Sequence, residues 1–179
     1  MKEHVILVDE YDRDVGIGEK MQVHRDGRLH RAFSIFVFDS AGRLLLQKRS
    51  ATKYHSANLW SNTCCGHPNP AESTIAAAHR RLQQEMTLNC KLREQFAFKY
   101  SVEFSDHLVE NEYDHVFVGE FNGEPLPDLA EVQDWRWACL SELRKQLQTN
   151  PDDYTYWLRI AIDRWRPEHQ TDTRLQKSS

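Results

Sequence analysis

Five histidine and glutamate side chains could together bind one divalent metal ion: His24, His30, His67, Glu110 and Glu112. Imidazole nitrogen and carboxylate oxygen both suit first-row divalent metals. Side chains alternate between the two faces of a strand, so a strand through Glu110 and Glu112 would project both carboxylates to one side. Each residue alone also fits an ordinary role in a turn or at a solvated strand edge. Only the combination therefore indicates a metal site.

A predicted helix adds a cation and another carboxylate. Between Glu72 and Met86 the apolar residues recur at helical spacing. Arg81 and Glu85 lie one turn apart on the same face of this helix. A guanidinium there suits a phosphate group that shares a metal ion with the carboxylate. The same two residues also fit an ordinary surface ion pair, and the helix by itself leaves both interpretations open.

The composition limits the function that such a site can have. A chain of 179 residues with a net charge of -4 is long enough for one domain, which we place at residues 1–166, before a polar, flexible tail at 167–179. The negative balance gives no reason to expect a nucleic-acid or membrane partner. No apolar run has the length of a membrane span or a signal peptide. We therefore expect a cytoplasmic protein with free thiols at Cys64, Cys65, Cys90 and Cys139.

Runs of β-branched and aromatic residues predict six strands. The strands run from His4 to Val8, Ala32 to Asp39, Leu44 to Lys48, Phe96 to Phe104, Tyr113 to Glu120 and Asp134 to Ala138. A second helix is predicted to begin near Ser141, and a third to run from Asp152 to Trp165, before Pro167. Strands and helices in this order predict an α/β (α+β) sandwich, with a mixed sheet between helical layers.

The segment from Gly66 to Leu88 resembles the Nudix box, a loop and helix whose carboxylates hold divalent metal against a diphosphate. The matching positions are Gly66, Glu72, Arg80, Leu82, Glu85 and Leu88. Arg81, Gln84 and Thr87 stand where the motif has two glutamates and a glycine. A Nudix hydrolase uses the full acidic cluster to activate water on phosphorus. The missing carboxylates therefore disfavour hydrolysis.

Most of the chain resembles the type 1 isopentenyl diphosphate isomerases, which have a Nudix-like fold. The most specific segment is Trp-Ser-Asn-Thr-Cys-Cys-Gly-His-Pro at residues 60–68. Further matching segments are Glu19–Lys20, Leu29–Ser34, Leu44–Arg49, Val109–Glu112 and Tyr156–Trp157. The resemblance implies the conversion of isopentenyl diphosphate to dimethylallyl diphosphate in isoprenoid biosynthesis.

The resemblance also implies roles for individual residues. Cys65, the residue before Gly66, and Glu112 would be the acid and base, with Tyr100 within reach of Glu112 and Cys64 in a packing role. The metal ligands would be His24, His30, His67, Glu110 and Glu112. If all five side chains bind, a six-coordinate ion such as Mn²⁺ or Mg²⁺ fits better than tetrahedral Zn²⁺, although zinc can occupy such a site.

The substrate contacts follow from the same resemblance. A second ion, Mg²⁺, would bridge the diphosphate to Glu85. The substrate-binding residues would be Lys20, Arg49, Lys53, Arg81 and Trp157. The indole of Trp157 would shield a carbocation, an attraction of about 2 kcal/mol when desolvated. The cations also fit a solvated basic face, and Trp157 also fits the core.

Two rival functions remain. One is a Nudix hydrolase of a nucleoside diphosphate derivative, and the other is a catalytically silent Nudix-like module that binds metal or nucleotide. A thiol at Cys65 together with a carboxylate at Glu112 favours the isomerase, because neither rival needs both. We expect a small-molecule substrate, and the sequence leaves open whether the protein is a monomer or a homodimer.

Overall fold

The computed structural model describes residues 2–53, 55–104 and 107–166. Within these residues nine strands form one mixed sheet. The strands are β1 His4–Val8, β2 Asp14–Glu19, β3 His30–Phe38, β4 Leu44–Arg49, β5 Trp60–Ser61, β6 Cys64–Gly66, β7 Leu92–Glu103, β8 Val109–Glu120 and β9 Val132–Ala138. The helices are α1 Lys20–Asp26, α2 Thr74–Met86, α3 Leu140–Thr149 and α4 Tyr156–Arg164.

Strand β3 is the centre of the sheet. It pairs in parallel with β8 along its whole length, from His30 opposite Glu112 to Phe38 opposite Glu120. The short strand β6 pairs antiparallel with β3 on the other side. Strand β7 pairs with β8, and β9 pairs with β4.

Helices cover both faces of this sheet. Ile35 and Val37 of β3 belong to a core cluster with residues of α2 such as Leu82. The intervening Phe36 and Phe38 belong to a second cluster, which contains residues of α3 and α4. Alternate side chains of one strand therefore enter two cores. The predicted α/β sandwich with a mixed sheet is confirmed.

All six predicted strands are present, several with extended ends, whereas four short elements were not predicted. These are β2, α1, β5 and β6. Helix α2 begins at Thr74, two residues later than predicted, because Ser73 is the N-cap and its side chain accepts from the Ala76 backbone N–H. The prediction of one domain stays a prediction, and the predicted tail at 167–179 lies outside the described residues.

The predicted third helix is wrong in its first turn. Residues Pro151–Asp153 form a separate 3-10 helix, and α4 begins only at Tyr156. Between them Thr155 is extended and buried. Its backbone N–H donates to the Trp60 carbonyl at 2.9 Å, and its hydroxyl lies 3.1 Å from that of Ser61. Pairing with β5 therefore overrides the helical pattern.

Among the described residues, no helix has the length and apolar character needed to cross a membrane.

Candidate active site

Strand register places three predicted site residues side by side. Glu112 of β8 lies opposite His30 of β3 and opposite Tyr100 of β7. Glu110 and Glu112 share one face of β8, as the alternation predicts. The intervening Asn111 donates to the Gly27 carbonyl at 2.9 Å, which ties β8 to the end of α1. The sheet and this side-chain hydrogen bond thus bring α1 against the two glutamates.

Four of the five predicted ligands converge. One ligand atom from each of His24, His30, His67 and Glu112 lies within 4.8 Å of the others. His24 Nε2 lies 3.2 Å from His30 Nε2, and Glu112 Oε1 lies 3.5 Å from His30 Nε2 and 3.0 Å from His67 Nε2. The unpredicted helix α1 carries His24, which is 1% exposed and therefore not a surface turn residue.

The protonation states of this group suit a divalent ion. Burial lowers the pKa of His24 to about 3 and that of His67 to about 4, so both rings are neutral near pH 7. His30 Nδ1 lies 2.9 Å from the Arg28 carbonyl, which can only accept, so Nδ1 carries a proton and the ring is held with Nε2 towards Glu112. Burial opposes ionisation of Glu112, but hydrogen bonds from His30 and His67 outweigh it and hold its pKa well below the usual value. Three imidazoles, two of them neutral at pH 7, and one carboxylate fit divalent metal.

The fifth predicted ligand, Glu110, lies outside this group of four. Its Oε1 is 2.9 Å from His55 Nε2. The Tyr100 hydroxyl lies between the two glutamates, 3.0 Å from Glu110 and 2.6 Å from Glu112. Burial and these carboxylates raise the pKa of Tyr100, so the phenol stays protonated and donates. Ligation by Glu110 stays a prediction.

The adjacent cysteines face opposite sides of β6. Cys64 is fully buried in the core cluster under α2. Cys65 packs against the other cluster and lines a cavity. Both thiols are free, as are those of Cys90 and Cys139, so the predicted free thiols are confirmed. Burial raises the pKa of Cys65 to about 12, which keeps it a thiol at neutral pH.

Most of the predicted site residues line one cavity of 640 Å³. Cys65, Glu112 and Tyr100 line it. So do the other predicted contacts, which are Lys20, Arg49, Lys53, Arg81, Trp157, His67, Glu85 and Glu110. The cavity therefore combines the Cys65 thiol, several carboxylates and the four predicted cations, and Lys2 and Arg80 also line it.

Each of the four cations already contacts a polar group. Lys20 Nζ lies 2.8 Å from Glu3 Oε2. Lys53 forms an ion pair with Glu131, and Arg81 forms one with Glu85. Arg49 is held differently from the other three.

Arg49 is fixed by carbonyls and by an aromatic ring. Its guanidinium donates to the His55 and Ser56 carbonyls, each at 3.2 Å. It also lies 5.2 Å from the ring centre of Trp157 and 3.9 Å from Cys65 Sγ. Trp157 is 3% exposed, and its Nε1 donates to Ser61 Oγ at 3.0 Å. Trp157 thus belongs both to the core and to the cavity wall.

Three polar residues of the site were missed by the sequence analysis. They are His55, Gln47 and Glu131. Gln47 Nε2 donates to Glu85 Oε2 at 3.1 Å and to the Thr63 carbonyl at 3.0 Å. His55 and Glu131 lie outside helices and strands, where no periodic pattern marks a residue. Gln47 stands on β4, where alternation could have shown that a polar side chain faces the core.

Thr87, the left-handed C-cap of α2, stands where the Nudix box has a glycine. Thr87 has φ 53° and its backbone N–H caps the helix. Its hydroxyl donates to the Leu126 carbonyl at 2.7 Å. A threonine thus fills a position that favours glycine, and it fastens the loop 121–131 to the helix.

Comparison with known proteins gave concordant results. Residues 28–158 match the model of the NUDIX domain. The chain is 54% identical over 164 residues to "Isopentenyl-diphosphate Delta-isomerase 1" of Aromatoleum aromaticum, covering 92% of this chain and 93% of the relative. It is 46% identical over 179 residues to "Isopentenyl-diphosphate Delta-isomerase" of Serratia proteamaculans, covering 99% and 100%. Among solved structures, a Deinococcus radiodurans protein superposes with a TM-score of 0.78 at 19% identity over 92% of this chain and 100% of that one, which shows a shared fold.

Proposed function

Since this chain belongs to the isopentenyl-diphosphate Delta-isomerases of the Nudix superfamily, we propose that Cys65 and Glu112 perform the two proton transfers of its reaction. The enzyme isomerises isopentenyl diphosphate to dimethylallyl diphosphate. The observation that supports the two roles is that Cys65 and Glu112 line one cavity together with the four cationic side chains predicted to bind the diphosphate.

The reaction moves a double bond by one carbon. One proton is added to the terminal alkene carbon, where the π electrons form the new C–H bond. Another proton leaves the carbon next to the oxygen-bearing one, and its C–H electrons form the new double bond. The intermediate is a tertiary carbocation, which water would destroy. The site therefore needs an acid and a base on opposite faces of the alkene, in an apolar and dry pocket.

Cys65 and Glu112 meet the need for two such groups. Cys65 carries a proton at neutral pH, and Glu112 is ionised, so one group can give a proton and the other can take one. Tyr100 donates to Glu112 and orients its carboxylate. After one turnover the proton has moved between the two groups, so exchange with solvent or with neighbouring groups must restore them. Trp157 closes the wall beside Cys65 and offers its indole to the cation.

The four ligands that converge, with Glu110 as the fifth, would hold Mn²⁺ or Mg²⁺, with Zn²⁺ as another occupant. A bound ion would supply positive charge that keeps Glu112 ionised and fixed. The diphosphate would bind to Lys20, Arg49, Lys53 and Arg81. A second ion, Mg²⁺, would accompany it at Glu85. The small substrate and the reduced thiols suit the cytoplasm.

Hydrolysis is the less supported alternative. Gln84 Oε1 accepts from Arg80 and Arg81 at 3.4 Å each, where the Nudix box has an acid. Glu85, the remaining carboxylate, is bound by Arg81 and Gln47. The acidic cluster that activates water in a hydrolase is therefore replaced by a neutralised pair.

One experiment tests the assignment. The protein is incubated with isopentenyl diphosphate and Mg²⁺, and dimethylallyl signals are followed by proton NMR while orthophosphate is assayed with nucleoside diphosphate substrates. Glu112→Gln should lose about 100-fold or more of the isomerisation rate. Glu120→Gln is the matched control, because Glu120 is exposed at the end of the same strand. Near-normal turnover by Glu112→Gln would show that this carboxylate is not the acid or base.

A further inference from the structure

Glu131 contacts two of the cations proposed to bind the diphosphate. It directly precedes β9 and lines the cavity. One carboxylate oxygen, Oε2, forms the ion pair with Lys53, and the other, Oε1, lies 3.5 Å from the Arg81 guanidinium. A single carboxylate thus bridges the loop that carries Lys53 and the helix that carries Arg81.

The backbone around Glu131 is anchored to both of those elements. The Glu131 carbonyl accepts from the Ser50 backbone N–H at 3.0 Å, three residues before Lys53. The Asp128 backbone N–H donates to the Glu85 carbonyl at 2.9 Å, one turn after Arg81. The Glu131 N–H donates to the Asp128 carbonyl at 2.9 Å, so the turn is closed on itself. The backbone of Glu131, from which the carboxylate extends, is therefore held in place between the two cations.

The charges of Glu131, Lys53 and Arg81 stabilise the contacts among these three side chains. Partial burial alone would raise the pKa of Glu131, but hydrogen bonding and attraction from Lys53 and then Arg81 lower it, so the group is ionised near pH 7. An ammonium has three donors and a guanidinium has five. Lys53 therefore keeps donors for phosphate oxygens beyond its contact with Glu131, and Arg81 keeps donors beyond its contacts with Glu131, Glu85 and Gln84. The carboxylate can orient the cations without having to leave when a diphosphate binds.

We propose that Glu131 is a positioning residue for the diphosphate: its two oxygens hold Lys53 and Arg81 in the orientation that receives the phosphates. This inference rests on the proposed function, in which those two cations bind the diphosphate. A lysine stem is long and flexible, so its ammonium loses much conformational freedom when it binds an anion. Holding Lys53 in place beforehand lowers that loss and tightens binding.

The test separates binding from chemistry. Glu131→Gln keeps the size of the side chain but removes its charge, and it should raise KM for isopentenyl diphosphate about tenfold while kcat changes less than about twofold. The dissociation constant of inorganic diphosphate, measured calorimetrically with Mg²⁺, should rise by a similar factor. Glu131→Asp keeps the charge and should give an intermediate KM. Glu124→Gln is the matched control, because Glu124 is exposed on the same loop and is not among the described residues that line the cavity.

A double-mutant cycle with Lys53→Met identifies the route of the effect. If Glu131 acts through its cations, Glu131→Gln should raise KM less than about threefold in the Lys53→Met background. An undiminished tenfold effect there would overturn the inference. So would a KM that falls in Glu131→Gln, which would mean that Glu131 competes with the diphosphate, or a KM that does not change. If Lys53→Met itself leaves KM unchanged, the proposed diphosphate contact of Lys53 fails instead.

Discussion

Two alanine substitutions at adjacent positions should change different properties, one the reaction rate and the other the stability of the fold. Cys65→Ala removes the thiol that lines the cavity, whereas Cys64→Ala removes the thiol buried under α2. Because β6 is a strand, the two side chains lie on opposite faces although they are neighbours in sequence. One substitution should therefore change the rate and the other the stability.

The two magnitudes follow from what each sulfur contacts. A positioned acid or base contributes about 10²- to 10⁴-fold to a rate, so Cys65→Ala should lower kcat by at least about 100-fold. Cys64 is 0% exposed, and deleting one buried heavy atom costs about 1–2 kcal/mol in lost burial plus the small cavity. For a chain of this length that lowers Tm by about 2–8 °C.

Three measurements on both variants distinguish the effects. Proton NMR of the dimethylallyl product gives kcat, thermal unfolding gives Tm, and elemental analysis gives bound metal. We expect Cys65→Ala to be inactive with normal metal content, and Cys64→Ala to be active with a lower Tm. A near-normal rate for Cys65→Ala would refute the acid/base assignment, and an inactive but stable Cys64→Ala would show that the two faces of β6 have been assigned wrongly.

Two further predictions concern the histidines. His67→Ala should weaken metal binding by more than about 100-fold, which is the upper effect of losing a residue that only orients a ligand, and activity should be lost with the metal. His107→Ala is the control, because the His107 side chain is 92% exposed. Metal retained by His67→Ala would contradict the ligand set. In metal-free protein the unfolded chain takes up protons near pH 6.5, whereas His67 does so only near pH 4 and His24 near pH 3 in the fold. Between these values the unfolded state binds more protons, so the free energy of unfolding should fall as the pH drops from 6.5 to about 4, by about 3 kcal/mol for His67 alone. Urea unfolding of chelator-treated protein measures this, and a flat profile between pH 7 and 4 would contradict it.

The parts of the site that lie on long, regular elements could be predicted from sequence. The period of two correctly indicated that a strand through Glu110 and Glu112 places both on one face, although the predicted strand began only at Tyr113. The helical spacing of α2 correctly placed Arg81 beside Glu85. In both cases the period of the element fixes where a side chain points, and the core on the other face keeps that orientation.

The remaining parts depend on contacts between segments that are distant in sequence. Helix α1 has seven residues, too few for a helical period to emerge, so the buried position of His24 was not foreseen. His55 is buried by stacking on Phe104, with ring centres 4.9 Å apart, and Glu131 is placed by backbone hydrogen bonds of its loop. No local pattern encodes such contacts, because each is set by the partner segment.

Substitution of Thr87 at the end of α2 should affect local order more than global stability. A left-handed Thr87 costs about 1 kcal/mol relative to glycine, and its hydrogen bond to the Leu126 carbonyl returns about 1 kcal/mol. Thr87→Gly would therefore leave the folded fraction almost unchanged while removing one of the hydrogen bonds that hold residues 126–128 to the end of α2. A melting curve would miss this difference, whereas amide hydrogen exchange along residues 126–131 would register it as faster local opening. The stability of the fold is thus nearly insensitive to residue 87, whereas the local order of the segment that leads to Glu131 is not.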